Sequence, residues 1–298
     1  MMTQVLKSKP LVEELYIKLE IRIKKLLEVN IVPKLAAILV GDDPASNIYV
    51  NSKAKVFKKL GCESETFKLS AESNENEILE LIKKLNNDPE IHGILVQLPL
   101  PKGINSRRVL HSVSKYKDVD GFHPYNLGCL LEGYPSLIPC TPNGVIELLK
   151  FYKIPVSGRH AVIVGRSNIV GKPLFALLAQ KFEIGNATVT LCHTGTKDLA
   201  YYTRQADILI AAVGVPKVIN KAMIKNGVDI IDVGINRISN NSPKGYALVG
   251  DVDYDSVLGF AKSITPVPGG VGPMTITMLA YNTVCVAEKE YHKMELSI

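Results

Sequence analysis

The chain has 298 residues, 46% of them apolar, which is enough for two domains or one large α/β domain with a real core. Its net charge of +6 is spread without a long block, so it tolerates an anionic small molecule and makes no demand for nucleic acid. Cysteines 62, 129, 140, 192 and 285 lack a C-x-x-C pair, fitting neither a disulfide framework nor a metal site, and no apolar run approaches the roughly 20 residues of a membrane span. A soluble, cytoplasmic protein is the expectation.

Residues 8–30 carry Leu11, Leu15, Leu19, Ile23 and Leu26 at helical spacing, predicting an amphipathic helix. Leu35–Val40 is a short apolar run ending at Gly41, read as a strand. Asp43-Pro44 then signals a helix start and Gly61 its stop. Within that helix Tyr49 and Lys53 stand four residues apart, on one face. In isolation the two also fit an ordinary solvated, lysine-rich helix surface. Thr66–Leu69 is the next strand, Glu77–Leu85 the next helix, and Ile91–Val96 a strand that runs into Gln97-Leu98-Pro99-Leu100-Pro101. In open α/β sheets ligands bind beyond the carboxyl ends of strands, so Gly41–Pro44 and Gln97–Pro101 are expected to line one cleft.

Asp118-Val119-Asp120-Gly121-Phe122 is a compact acidic turn, in which Asp120, taken alone, reads as a turn residue or helix cap in preference to a ligand contact. The passage from Gly128 to Pro139 is expected to be loop. Thr141-Pro142 repeats the helix-start signal, with Thr141 as cap, and the first domain boundary is placed there.

From His160 the pattern is βαβ. Ala161–Val164 is a buried strand, and Gly165-Arg166-Ser167-Asn168-Ile169-Val170-Gly171 turns into a helix reaching Ala179. Ser167 replaces the middle glycine of the strict dinucleotide fingerprint and Gly171 comes one residue late, so the context carries more than the spacing. After the strand Thr188–Cys192 the chain offers His193-Thr194-Gly195-Thr196 where an NAD site commonly has an acid. Nothing there repels a 2′-phosphate, and Arg166 could attract one or equally face solvent, so the reading leans toward NADP over NAD. Strands follow at Asp207–Ala211 and Val228–Val233. The segment 266–275, PVPGGVGPMT, reads as a rigid linker that permits close backbone approach, and Met274–Glu288 as a final helix able to return to the first domain.

Six motifs in this order resemble the bifunctional methylenetetrahydrofolate dehydrogenase/cyclohydrolase family: VGDDPASNIYVNSK at 40–53, GILVQLPLP at 93–101, KDVDGF at 117–122, PCTPNG at 139–144, GRSNIVGKP at 165–173 and PVPGGVGPMT at 266–275. The resemblance implies an α/β fold of two domains: a folate-binding catalytic domain of residues 1–140 and 273–298, and an NADP-binding Rossmann domain of residues 141–272. The C-terminal helix would return to the first domain, folate would lie in the cleft, and the assembly would be a homodimer. It further implies that Tyr49 stacks on the folate, Lys53 is the acid/base group, Gln97 orients it and Asp120 binds the pterin. Leu98 and the backbone of Pro268, Gly269, Gly270, Val271 and Gly272 would complete the substrate contacts. Gly165, Arg166, Ser167, Thr194 and Ile235 match the family's cofactor contacts. Two features depart from the family pattern: Thr194 stands where serine is frequent, and residues 181–186 are longer than usual.

The implied chemistry suits these residue types. Hydride transfer needs alignment, whereas hydrolysis of the methenyl product needs a group that takes and returns protons. An ordinary lysine is protonated at neutral pH, so the role requires partial burial and a cationic intermediate to favour the neutral amine. Two other readings compete. A different two-domain NADP dehydrogenase would explain the βαβ section but not Tyr49, Lys53, Gln97 and Asp120 together. A nucleic-acid-binding protein would explain the charge, but no basic stripe interleaved with aromatics is present.

Overall fold

A computed structural model describes residues 2–240 and 245–295. The last three positions of the expected first domain, 296–298, lie outside the described residues. In chain order the elements begin with β1 (Gln4–Val5), α1 (Lys9–Glu28), β2 (Lys34–Val40), α2 (Pro44–Leu60), β3 (Glu63–Leu69), α3 (Glu75–Asn87) and β4 (Gly93–Val96). Then come α4 (Ser106–Ser112), α5 (Pro124–Glu132), α6 (Cys140–Phe151), β5 (His160–Val164), α7 (Gly171–Ala179), β6 (Thr188–Cys192), α8 (Leu199–Thr203), β7 (Ile208–Ala211) and β8 (Asp229–Asp232). The chain closes with β9 (Asn236–Ser239), β10 (Tyr246–Val249), α9 (Tyr254–Val257), β11 (Ser263–Ile264) and α10 (Val271–Glu295).

The chain divides into two compact units, one of residues 13–140 and 276–298, the other of residues 1–12 and 141–275. In the first unit three parallel strands lie in the order β3-β2-β4. Six of the seven residues of the central strand β2 are buried, as a strand covered on both faces requires. Ile78, Ile82 and Leu85 of α3 pack on Ala36, Ile38, Val40 and Ile94, each large side chain contributing roughly 1.5–3 kcal/mol of burial. The C-terminal helix belongs to this unit from Ile276 onward, and Arg22 of α1 holds Glu288 of α10 through two hydrogen bonds of 2.8 and 2.6 Å.

The second unit is built on a six-stranded parallel sheet, order β1-β11-β8-β7-β5-β6, of the doubly wound α/β kind. Its core joins Val162, Val164, Leu209, Ala211, Ile230 and Ile264 to Ile219, Val252 and Val257. The sequence reading gave residues 1–12 to the first domain. Strand pairing places Gln4–Val5 here instead, parallel to β11, because Gln4 and Leu6 donate their N–H groups to the carbonyls of Lys262 and Ile264.

Local differences from expectation have identifiable causes. The expected loop from Gly128 contains most of α5, which His123 caps by accepting the Tyr125 N–H, Pro124 opens and Gly133 ends at φ 93°. Helix α6 begins at Cys140, one residue before the expected cap Thr141. Helix α10 begins at Val271, so Val271 and Gly272 belong to its first turn and not to a linker. An antiparallel hairpin of β9 and β10 interrupts the expected strand and helix alternation.

Candidate functional site

The catalytic candidates of the first unit are set by α2 and by the segments that follow β4. The Asp43 carboxylate accepts the Ser46 N–H at 2.7 Å, Pro44 occupies the first turn, and Gly61 ends the helix at φ 79°. Val50, Phe57 and Leu60 bury one face of α2. Tyr49, 39% exposed, and the half-buried Lys53 stand beside that face, one turn apart.

Lys53 Nζ donates to Gln97 Oε1 at 3.0 Å. Gln97 is itself held twice: its backbone N–H donates to Ile38 O at 2.9 Å and its Nε2 donates to Leu98 O at 2.7 Å. The second bond uses the amide's donor end and leaves its oxygen for the lysine. The end of β4 therefore fixes one direction of the Lys53 head group.

The two aspartates of the 118–121 turn do different things. Asp118 is buried, and its carboxylate accepts the N–H groups of Phe122 and His123 at 3.1 and 2.7 Å and the Asn126 amide at 2.8 Å. It holds the turn. Asp120 is half-buried and is coupled electrostatically to Lys53. Burial pushes its carboxyl up to about 6; the Lys53 charge opposes that rise, Asp118 adds to it and the neighbouring Cys140 thiol lowers it. Gly121 has φ 75°, and a Cβ there would come within 2.6 Å of Pro139 N, so the close turn accepts only glycine.

Cys140 and Asn282 escaped the sequence reading. The Cys140 thiol donates to Val119 O at 3.2 Å, and Asn282 of α10 donates to Val119 O and Ile138 O at 2.8 and 2.9 Å. Cys140 falls within a motif and was there to be found. Asn282 gives no local signal, because its partners lie 144 and 163 residues away.

In the second unit Gly165 ends β5 at φ 125°, and a Cβ on it would strike the Ala212 carbonyl. A Cβ on Gly171 would strike the Gly165 carbonyl in turn. Strand, turn and helix are thus as close as backbone permits, the geometry that brings a pyrophosphate to a helix start. Ser167 Oγ accepts the N–H groups of Val170 and Gly171 at 3.1 and 3.4 Å. A cavity of about 420 Å³ is lined by Gly165, Arg166, Ser167, His193, Thr194 and Val213 among others. The lining holds a guanidinium and no carboxylate, which fits a dinucleotide carrying a 2′-phosphate.

Four of the five expected cofactor residues therefore meet at one cavity. Ile235 does not line it: its Cδ1 sits where a Cβ on Gly272 would approach to 3.3 Å. The loop Pro268–Gly269–Gly270 is tied to the start of the chain, where Ser8 donates its N–H and its hydroxyl to Gly269 O, each at 3.0 Å. A Cβ on Gly270 would come within 2.6 Å of Pro266 O.

Comparison with known proteins gives concordant findings for both units. The catalytic-domain model of the tetrahydrofolate dehydrogenase/cyclohydrolase family matches residues 6–120, and its NAD(P)-binding-domain model matches residues 139–291. The bifunctional protein FolD of Geotalea daltonii is 50% identical over 288 residues, spanning 97% of this chain and 100% of that one. FolD of Chlamydia felis is 50% identical over 280 residues, 94% of this chain and 96% of its own. Among solved structures, the bifunctional FolD methylenetetrahydrofolate dehydrogenase/cyclohydrolase of Campylobacter jejuni superposes with TM-score 0.90 at 47% identity, covering 97% of this chain and 99% of that one. The Trypanosoma brucei enzyme, complexed with NADP cofactor and an inhibitor, superposes with TM-score 0.92 at 33% identity, covering 98% and 99%.

Proposed function

Since the chain belongs to the tetrahydrofolate dehydrogenase/cyclohydrolase family, we infer that it oxidises 5,10-methylenetetrahydrofolate with NADP and hydrolyses the methenyl product to 10-formyltetrahydrofolate, with Lys53 as the acid/base group. It is a bifunctional enzyme of tetrahydrofolate one-carbon metabolism, an oxidoreductase and a hydrolase. The observation that carries the role of Lys53 is its hydrogen bond to a doubly anchored Gln97, with Asp120 close enough to feel its charge.

NADP, when bound, accepts the hydride lost from the one-carbon bridge of the substrate. Gly165, Arg166, Ser167 and Thr194 are the residues proposed to hold it, Arg166 meeting the 2′-phosphate. Ile235 is proposed to add a contact from outside that cavity. Oxidation leaves a methenyl cation shared by two folate nitrogens. Water then adds to the methenyl carbon and gives up a proton, N5 takes a proton, and the bond from carbon to N5 breaks. Lys53 Nζ is the proposed carrier of both protons. A positioned acid/base group of this kind contributes about 10²–10⁴-fold. Gln97 Oε1 fixes one direction of the amine, and its remaining positions are proposed to serve the substrate. Asp120 is proposed to accept hydrogen bonds from the pterin, with Tyr49 stacking on the aminobenzoyl ring and Leu98 and Pro268–Gly272 completing the substrate contacts.

The test follows methenyl absorbance with 5,10-methylenetetrahydrofolate and NADP or NAD in parallel, then after a pulse of methenyltetrahydrofolate, for the wild type and Lys53→Met. NADP-dependent oxidation and accelerated methenyl decay are expected, with the decay at least ~100-fold slower in the variant. A variant with wild-type decay would remove Lys53 from the role, and no folate turnover with either cofactor would remove the activity itself.

Two further assignments are proposals. The first is a homodimer, which sedimentation at twice the mass of one chain would support and a single-chain mass would refute. The second is a cytoplasmic location, supported by five unpaired cysteines; fractionation of the source cells tests it. Among the described residues no helix is long and apolar enough to cross a membrane.

A further inference from the structure

Two carboxylates of the second unit take no part in the chemistry above, yet they are among its most enclosed charged groups. Asp232, at the end of β8, is 3% exposed, and Asp251, two residues after β10, is 0% exposed. Among the described residues neither forms an ion pair; what they meet instead are amides. Asp232 Oδ1 accepts the N–H groups of Gly234 and Asp251 at 3.0 and 2.9 Å, and Oδ2 accepts that of Val252 at 2.9 Å. Asp251 Oδ2 accepts the N–H groups of Val213 and Gly214 at 2.7 and 3.0 Å, while its Oδ1 accepts the Asn236 side-chain amide at 2.9 Å. The neighbouring glycines fit the pair: a Cβ on Gly234 would collide with the Asp251 carboxylate, and one on Gly250 with that of Asp232.

A buried carboxylate without a cation is costly to ionise, and among the described residues three amide donors oppose that cost at each; burial still raises the Asp232 carboxyl to about 7. One of the segments so fastened lines the cofactor cavity, through Val213; the other carries Asn236, next to Ile235, the expected cofactor contact outside that cavity. We propose that Asp251 is a positioning residue for NADP, setting the cavity wall by tying the loop after β7 to the segment after β8, with Asp232 holding Asp251 in place. The proposal rests on the assignment of this cavity to NADP.

The test is calorimetric NADP binding together with the ratio of dehydrogenase to cyclohydrolase rates. Asp251→Asn keeps an oxygen for Val213 and Gly214 but turns its NH₂ against that of Asn236. NADP affinity is expected to fall about tenfold or more, and the rate ratio with it, a split that general loss of structure does not produce. Adding Asn236→Asp restores a donor facing an acceptor and should recover affinity to within about threefold of wild type. Asn236→Ala, which removes the contact to Oδ1 and a long one of 3.5 Å to Val249 O, should weaken NADP binding about threefold or more, and it carries the test if Asp251→Asn does not fold. Wild-type affinity in folded Asp251→Asn or in Asn236→Ala overturns the proposal, as does a double variant without recovery. A wild-type protein that fails to bind NADP removes the cavity assignment and the proposal together, whereas binding that the variants leave unchanged removes the proposal alone.

Discussion

Asp120 offers a residue whose protonation state should be visible in solution. Its carboxyl is raised to about 6, chiefly by burial, so it is neutral below that pH and ionised above it. If the ionised form accepts hydrogen bonds from the pterin, the KM for the folate substrate should rise as pH falls through about 6, and Asp120→Asn should abolish that limb; an unchanged limb in the variant would assign it to another group. The stability effect has the opposite sense. Because the folded carboxyl is harder to ionise than the unfolded one, its contribution is full below about pH 4 and is lost as pH rises through about 6. Taken alone Asp120 reads first as a turn residue, and only the family resemblance singles it out from Asp118. What separates them is that Asp118 has spent its oxygens on Phe122, His123 and Asn126. Tyr49, Lys53 and Gln97 were legible because a motif carries them. Asn282 was not, since a buried asparagine in a helix resembles any other polar helix residue until its distant partners are in place.

Among the elements, those with strong end signals were the most readable. Helix α2 has its Asp-Pro start and glycine stop, and α3 a reciprocal cap between Asn74 and Glu77. Helix α5 was missed because Gly128, which reads as loop, lies in its interior, and because a cap by His123 is not a recognised sequence signal. The turn from β5 into α7 was under-read, since its spacing violates the strict fingerprint while its backbone contacts satisfy the demand behind it. That contact is testable: Gly171→Ala places a methyl against the Gly165 carbonyl, a peptide oxygen that cannot rotate away. Overpacking of this kind costs about 1–3 kcal/mol, and the backbone shift that relieves it displaces the turn. Thermal denaturation should show a lower Tm, and NADP binding should weaken about tenfold or more. Wild-type values for both would mean that the turn has room the geometry denies it.

For the molecule as a whole, the two compact units and their parallel sheets followed from the alternation of short apolar runs with helices, but the ownership of the chain's first residues did not. A two-residue strand has no periodicity to read. Its contacts are nonetheless specific: Thr3 Oγ1 donates to Ala261 O at 2.7 Å and accepts the Gly259 N–H at 2.8 Å, and Leu6 is fully buried. Deleting residues 2–7 should therefore destabilise the second unit by roughly 3–5 kcal/mol, from the lost burial of Leu6 and the lost hydrogen bonds. Chemical denaturation followed by NADP protection would measure it, and an unchanged midpoint would show the strand to be dispensable.

The pairing of β1 with β11 also bears on synthesis. During synthesis β1 must wait for β11, since Gln4–Val5 aligns with Ser263–Ile264. At about 5–20 residues per second that wait lasts roughly 13–52 s. The other unit is likewise incomplete until residues beyond Ile276 emerge. Neither unit closes until its distant segment has emerged, and β1 stays without its partner strand while all the elements between it and β11 are made.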